Sequence, residues 1–114
     1  MVPPSAPGAV VLVRFPFSDL SSAKLRPAVV LANAGRDDWV LCQVTSNSYA
    51  DPRAVEIGKA DFSVGSLHIT SYARPGKLFT ANHALIVAEV ALLTQPAFRR
   101  IIDGVVALLM ASTA

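Results

Sequence analysis

The stretch PAVVLANAGRDDWVLCQVT, residues 27–45, decides the fold. Pro27 to Ala32 is an unbroken apolar run of strand length, and Trp39 to Thr45 reads as another strand. Between them Asn33-Ala34-Gly35-Arg36-Asp37-Asp38 supplies turn chemistry, which predicts an antiparallel hairpin. Upstream, GAVVLVRFPF at 8–17 is rich in β-branched and aromatic residues and has no helical caps, so Val10 to Phe15 is expected to be a strand. Ser18 to Lys24 is polar and small and reads as a surface loop, ending where Pro27 forces an extended backbone on Arg26. Met1 to Pro7, with three prolines, reads as a loose lead-in.

Downstream, Ser46 to Pro52 is a polar loop and Ala54 to Ile57 a short strand ended by Gly58. Gly65 to Ala73 alternates in its middle, with Leu67, Ile69 and Ser71 on one side, and Arg74-Pro75-Gly76 is expected to close that strand. Leu78 to Thr80 adds one more short strand, while Ala84 to Ala91 fits either a helix or a strand. Thr94-Gln95-Pro96 places a proline where a first helical turn tolerates it. Phe98, Ile101, Ile102, Val105, Leu108 and Leu109 then recur at spacings of three and four, so the last element is a helix with one apolar stripe. Several short strands followed by a helix describe a mainly β fold, a small barrel or a strongly bent sheet with helices appended.

With 114 residues the chain has room for one domain spanning 1–114. Apolar residues at 53% against 16% charged exclude disorder. The longest uninterrupted apolar runs, Ala84 to Ala88 and Val105 to Ala111, fall far short of the roughly 20 residues that a spanning helix needs, so no membrane association is expected. The N-terminus lacks the basic and apolar regions of a secretory signal. The single cysteine, Cys42, forms no intramolecular bridge and has no metal spacing, which points to a reducing, cytoplasmic setting without a metal. A formal net charge of +2 permits nucleic acid as a partner without requiring it.

Two polar clusters lie where strand ends meet loops, Lys24-Leu25-Arg26-Pro27 and Gln43-Val44-Thr45-Ser46-Asn47. If the hairpin forms, the start of one strand lies beside the end of the other, and Arg26 comes close to Thr45. A planar guanidinium with a hydroxyl beside it suits a phosphate. The competing reading pairs Arg26 with Asp19 or a main-chain carbonyl and spends Thr45 on a turn. Lys24, Arg53, Arg74 and Lys77 fit either a phosphate track or a solvated surface, and Tyr49 either stacks on an unpaired base or packs. Trp39 reads as core or dimer surface. His68 and His83 are the residues that a ribonuclease of the two-histidine type would use as acid and base.

Four pieces in order carry a resemblance. They are Gly8 to Val13 leading into Phe15-Pro16-Phe17-Ser18-Asp19, then Arg26-Pro27-Ala28-Val29-Val30-Leu31, then Val44-Thr45-Ser46, then Ser71-Tyr72-Ala73-Arg74-Pro75-Gly76-Lys77-Leu78-Phe79-Thr80. In these the chain resembles the MazF/PemK type of toxin from bacterial toxin–antitoxin pairs. The resemblance implies a small SH3-like barrel of the kind shared with CcdB, usually a homodimer. It also implies a metal-independent, sequence-specific endoribonuclease that cleaves single-stranded RNA and is restrained by a cognate antitoxin. Arg26 matches the family arginine at the scissile phosphate and Thr45 the threonine that holds it; Lys24, Ser46, Tyr49, Arg53, Arg74 and Lys77 are the RNA-binding candidates around them. The two histidines fall outside the family motif. Ala9 and Gln43 depart from it, since many members have an acidic residue and an apolar residue or proline at these places. Two rival readings share the barrel: a gyrase poison like CcdB, whose C-terminal tryptophan is missing from Leu109-Met110-Ala111-Ser112-Thr113-Ala114, and a catalytically silent member that only binds antitoxin.

Overall fold

The computed structural model describes residues 4, 6–15 and 24–111. Most of the Phe15-Pro16-Phe17-Ser18-Asp19 piece, the loop from Ser18, most of the N-terminal lead-in and the last three residues lie outside the described residues. Seven strands form one curled antiparallel sheet: β1 (Ala9–Phe15), β2 (Lys24–Gly35), β3 (Asp38–Thr45), β4 (Val55–Ile57), β5 (Phe62–Gly65), β6 (Ser71–Asn82) and β7 (Ile86–Leu93). An α-helix, α1 (Gln95–Ala111), follows. The spatial order is β4-β6-β3-β2-β1-β7-β5, so the two edges are the shortest strands, of three and four residues, which limits the open ladder offered to other chains.

The unbroken apolar run of β2 has a direct cause: this sheet is buried on both faces. Val10, Val29, Leu31, Cys42 and Val44 face a layer shared with Ala97, Ile101 and Val105 of α1. Their neighbours Ala9, Val11, Val13, Ala28, Val30 and Leu41 face a second layer with Ala81 and Ile86, against which Trp39, Phe79 and Leu92 pack. Trp39 therefore belongs to a core edge.

The hairpin of β2 and β3 forms, but its loop is tighter than the six-residue turn the sequence suggests. Arg36 and Asp37 alone connect the strands, with φ of 56° and 65°, the left-handed pair whose twist matches that of the flanking strands. Lys24, expected in the preceding loop, already belongs to β2.

Three expectations further along are overturned. The alternating stretch Gly65 to Ala73 is not one strand: β5 ends at Gly65, β6 begins at Ser71, and residues 66–70 connect them. His68 has a φ of 64°, which breaks an extended run, and its N–H donates to Ser66 Oγ at 2.8 Å. The Phe62–Gly65 strand was hidden by its shortness and its glycine. Gly65, at φ 70°, is held so close to β7 that an added Cβ would run into the Val90 carbonyl and approach the Ala91 Cα to 2.9 Å.

Arg74-Pro75-Gly76 does not close a strand either, because β6 runs through it to Asn82 and absorbs the separate strand expected at Leu78 to Thr80. The register along β3 and β6 shifts between Cys42 and Val44, where Cys42 pairs with Leu78 but Val44 with Ala73. Pro75 lies in that irregularity, where the ladder asks for no N–H. Its buried ring instead meets α1 at Gly104, where a Cβ would come within 3.1 Å of Pro75 Cγ. The ambiguous segment from Ala84 resolves into the end of a short 3-10 turn, His83–Leu85, followed by β7.

Helix α1 starts as read, with Thr94 Oγ1 accepting the Ala97 N–H at 3.3 Å. Of the expected stripe, Ile101 and Val105 are buried, Phe98, Ile102 and Leu108 half-buried, and Leu109 exposed. Asp61 ties this helix to the loop before β5. Its Oδ2 accepts the Gly58 N–H at 2.8 Å, its Oδ1 lies 3.1 Å from Arg100 Nη2, and its carbonyl accepts the Thr94 N–H at 2.8 Å. The Gly58 hydrogen bond first, then the Arg100 side chain, holds the Asp61 carboxyl below the usual carboxylate range. A carboxylate depressed in the folded state stabilises above its unfolded value, and the contribution is lost as pH falls through the folded value. Asp61→Asn is therefore expected to lower stability at pH 7 by about 1 kcal/mol. The gap between the proteins should narrow below about pH 4, as urea titrations at pH 7 and pH 3 would report; an equal gap at both would contradict this account.

Candidate active site

The site is built by the open end of the β2/β3 hairpin. Ala28 pairs with Gln43, and two residues further along each strand Arg26 comes across from Thr45. Both line one cleft of about 390 Å³, together with Gln43, Ser46, Asn47 and Tyr49. Its remaining wall includes Leu67 and Ile69 from the 66–70 connection. Their alternation belongs to two apolar residues that border this cleft and not to a sheet face, which is why the period misleads.

Arg26 is exposed at the start of β2 and Thr45 half-buried at the end of β3. Thr45 Oγ1 accepts the Asn47 N–H at 3.2 Å, so the hydroxyl does anchor a turn. Accepting spends a lone pair and leaves the proton, so the same hydroxyl remains a donor toward the cleft. The turn and the phosphate readings of Thr45 are compatible. Asn47 in turn accepts the Tyr49 N–H at its Oδ1, 2.8 Å away, and both Tyr49 and Ala50 take left-handed φ of 53°. Tyr49 is thereby presented outward, 61% exposed.

The basic candidates separate. Lys24, Arg53 and Lys77 are exposed and do not line the cleft. Arg74 is committed to an ion pair, its Nε 3.1 Å from Asp51 Oδ2, with only 20% of its side chain exposed. Its guanidinium carbon lies 5.2 Å from the centre of the Tyr49 ring. The Arg53 N–H donates to Asp51 Oδ1 at 2.9 Å. That bond first, then the Arg74 side chain, holds the Asp51 carboxyl below its ordinary value. Asp51 had no signal in the sequence, because its partner lies 23 residues away on β6 while Asp51 itself sits in a loop.

The histidines do not assemble with this cleft. His83 sits with its Nδ1 4.0 Å from Asp37 Oδ2 at the hairpin turn, the opposite end of β3 from Thr45, roughly 20 Å away along the strand. His68, between Leu67 and Ile69, lines a neighbouring hollow with Lys59, Phe62 and Ser66. Cys42 is no nucleophile: it is fully buried, its Sγ donates to the Arg74 carbonyl at 3.2 Å, and burial pushes its thiol up to about 12. Among the described residues no three His, Cys, Asp or Glu side chains gather as a metal site, and no helix is long and apolar enough to cross a membrane.

The fold is shared with several solved structures. MazF from Deinococcus radiodurans superposes with a TM-score of 0.72 at 18% identity, over 96% of this chain and 99% of that one. A MazE–MazF complex from the same organism gives a TM-score of 0.77 at 17% identity, over 96% and 98%. An endoribonuclease in complex with its cognate antitoxin, from a mycobacterial species, gives 0.71 at 16%, over 97% and 96%. No curated protein sequence matches the chain. The family model of the PemK-like, MazF-like toxins of type II toxin–antitoxin systems matches residues 6–109, nearly the whole of the sequence, and the chain belongs to that family.

Proposed function

We propose that the protein is an endoribonuclease that cleaves single-stranded RNA, such as mRNA, in a sequence-specific, metal-independent reaction at the Arg26–Thr45 cleft and so inhibits translation and growth. The single observation that carries this reading is the convergence of a guanidinium and a hydroxyl donor on one cleft beside an outward-facing tyrosine. Solved structures of the same fold include proteins named as endoribonucleases.

In this reading the RNA supplies its own nucleophile. The 2′-oxygen forms a bond to phosphorus, the bond from phosphorus to the 5′-oxygen breaks, and a 2′,3′-cyclic phosphate and a 5′-hydroxyl result. The proton lost by the 2′-hydroxyl is balanced by the one gained at the leaving oxygen. Negative charge builds on the non-bridging phosphate oxygens, and preorganised donors aimed at such charge often supply more of an enzyme's rate enhancement than any other effect. Arg26 presents a planar fork of N–H groups to them, and Thr45 adds its O–H from a hydroxyl already oriented by the Asn47 turn. Arg26 acts electrostatically, as a fixed fork of donors facing the charge that builds on the phosphate. Ser46 and Tyr49 contact the nucleotides in the cleft, while Lys24, Arg53 and Lys77 offer exposed charges to neighbouring phosphates.

The working unit is a homodimer, supported by the exposed Val106, Leu109 and Met110 on the outer side of α1. A cognate antitoxin restrains it by laying an acidic segment into the same cleft. Incubation of the purified protein with single-stranded RNA in EDTA is expected to yield fragments ending in 2′,3′-cyclic phosphate and 5′-hydroxyl groups. Intact RNA, or cleavage that stops on chelation, would refute the reading.

A further inference from the structure

Resting on the reading of the cleft as an RNA site, we propose that Asp51, Arg74 and Tyr49 form a base-stacking platform beside the Arg26–Thr45 pair, with Arg74 a positioning residue beneath the ring and not a phosphate ligand. The three residues make a chain of support. Asp51 grips Arg74 at 3.1 Å, and both side chains are largely withdrawn from solvent, at 15% and 20% exposed. The guanidinium carbon then lies 5.2 Å from the Tyr49 ring centre, within reach of a cation–π contact on one face. The rest of the tyrosine is open to solvent and borders the same cleft as Arg26 and Thr45.

Two hydrogen bonds fix the backbone that carries the ring. The Tyr49 N–H donates to Asn47 Oδ1, and the Asp51 N–H donates to the Ser48 carbonyl at 2.9 Å. A surface tyrosine ordinarily loses rotamer freedom when a base stacks on it, and a ring fixed beforehand avoids that loss. Every nucleobase has a π-face, so the occupant is any unpaired base flanking the cut, and the platform contributes affinity without reading sequence. Asp51 also neutralises Arg74, so the pair adds no net charge to a phosphate track.

The test uses an oligonucleotide spanning a cleavage site mapped with the wild-type protein, 2′-O-methylated throughout so that it binds uncut. Tyr49→Ala is expected to bind it about tenfold more weakly and Tyr49→Phe within about twofold of wild type. On cleavable RNA at saturation, Tyr49→Ala should keep its kcat within about twofold, the loss falling on KM. The double variant D51N/R74Q, with unchanged net charge, should also bind more weakly while its plot of log K against log salt keeps the wild-type slope. A slope reduced by about 0.7, the loss of one phosphate contact on a single strand, would overturn the positioning role. Equal binding by Tyr49→Ala, with a wild type that cuts RNA, would overturn the platform alone. A wild type that neither binds nor cuts RNA would overturn the RNA reading and the platform with it.

Discussion

Replacing Arg26 by alanine is expected to slow RNA cleavage about 10²–10³-fold in single-turnover assays, the loss typical of removing one preorganised donor from a developing oxyanion. The fold should not register the change. Arg26 is exposed, and its strand is held by the ladder to β1 and by the buried Ala28, Val29 and Val30 that follow it. Surface substitutions of this kind usually shift stability by no more than about 0.5 kcal/mol. Arg26→Lys would keep a charge but lose the planar fork, so its activity should fall between the two. Full activity in the alanine variant would remove Arg26 from the chemistry; an equal fall in activity and in thermal stability would mean that the residue is structural.

The largest expected effect on stability comes from the other side of the sheet. Ile101 is fully buried where α1 meets the layer formed by Val10, Val29 and Ile57. Shortening it to alanine removes three carbons and leaves a cavity, because the helix is already held against Pro75 at Gly104 and has little room to settle inward. A loss of about 3 kcal/mol is expected, lowering the melting midpoint by about 10 °C. Urea unfolding followed by circular dichroism would measure it, and a loss below about 1 kcal/mol would mean that the helix is not anchored at this point. Cleavage by the folded fraction should be unchanged, since α1 contributes no residue to the cleft.

Much of the fold was legible because the buried runs of β1, β2 and β3 leave no polar face to hide the pattern. The proximity of Arg26 and Thr45 followed from hairpin geometry alone, since a turn between two runs dictates which ends meet. The failures have equally definite causes. Arg74-Pro75-Gly76 has the composition of a strand end, but a register irregularity and a neighbouring helix glycine make it the middle of a strand, and neither is visible locally. Leu67 and Ile69 keep a strand's period while serving as the wall of a cleft. Arg74 reads from its charge as a phosphate ligand, yet Asp51, from the loop between β3 and β4, has already engaged it.

Cys42 has a use of its own. Its thiol sits on β3 between the pairing to β2 and the irregular seam with β6, donating to the carbonyl of Arg74. At neutral pH a thiol pushed up to about 12 is almost wholly protonated, and the thiolate is the form that reacts with alkylating reagents. Such a reagent can modify it only after the packed layer between the sheet and α1 opens, because the side chain is buried there in one cluster with Val10, Val29 and Ile101. The pace of alkylation at this one sulfur is therefore a clock for the opening of that layer, already in the chain and needing no added label.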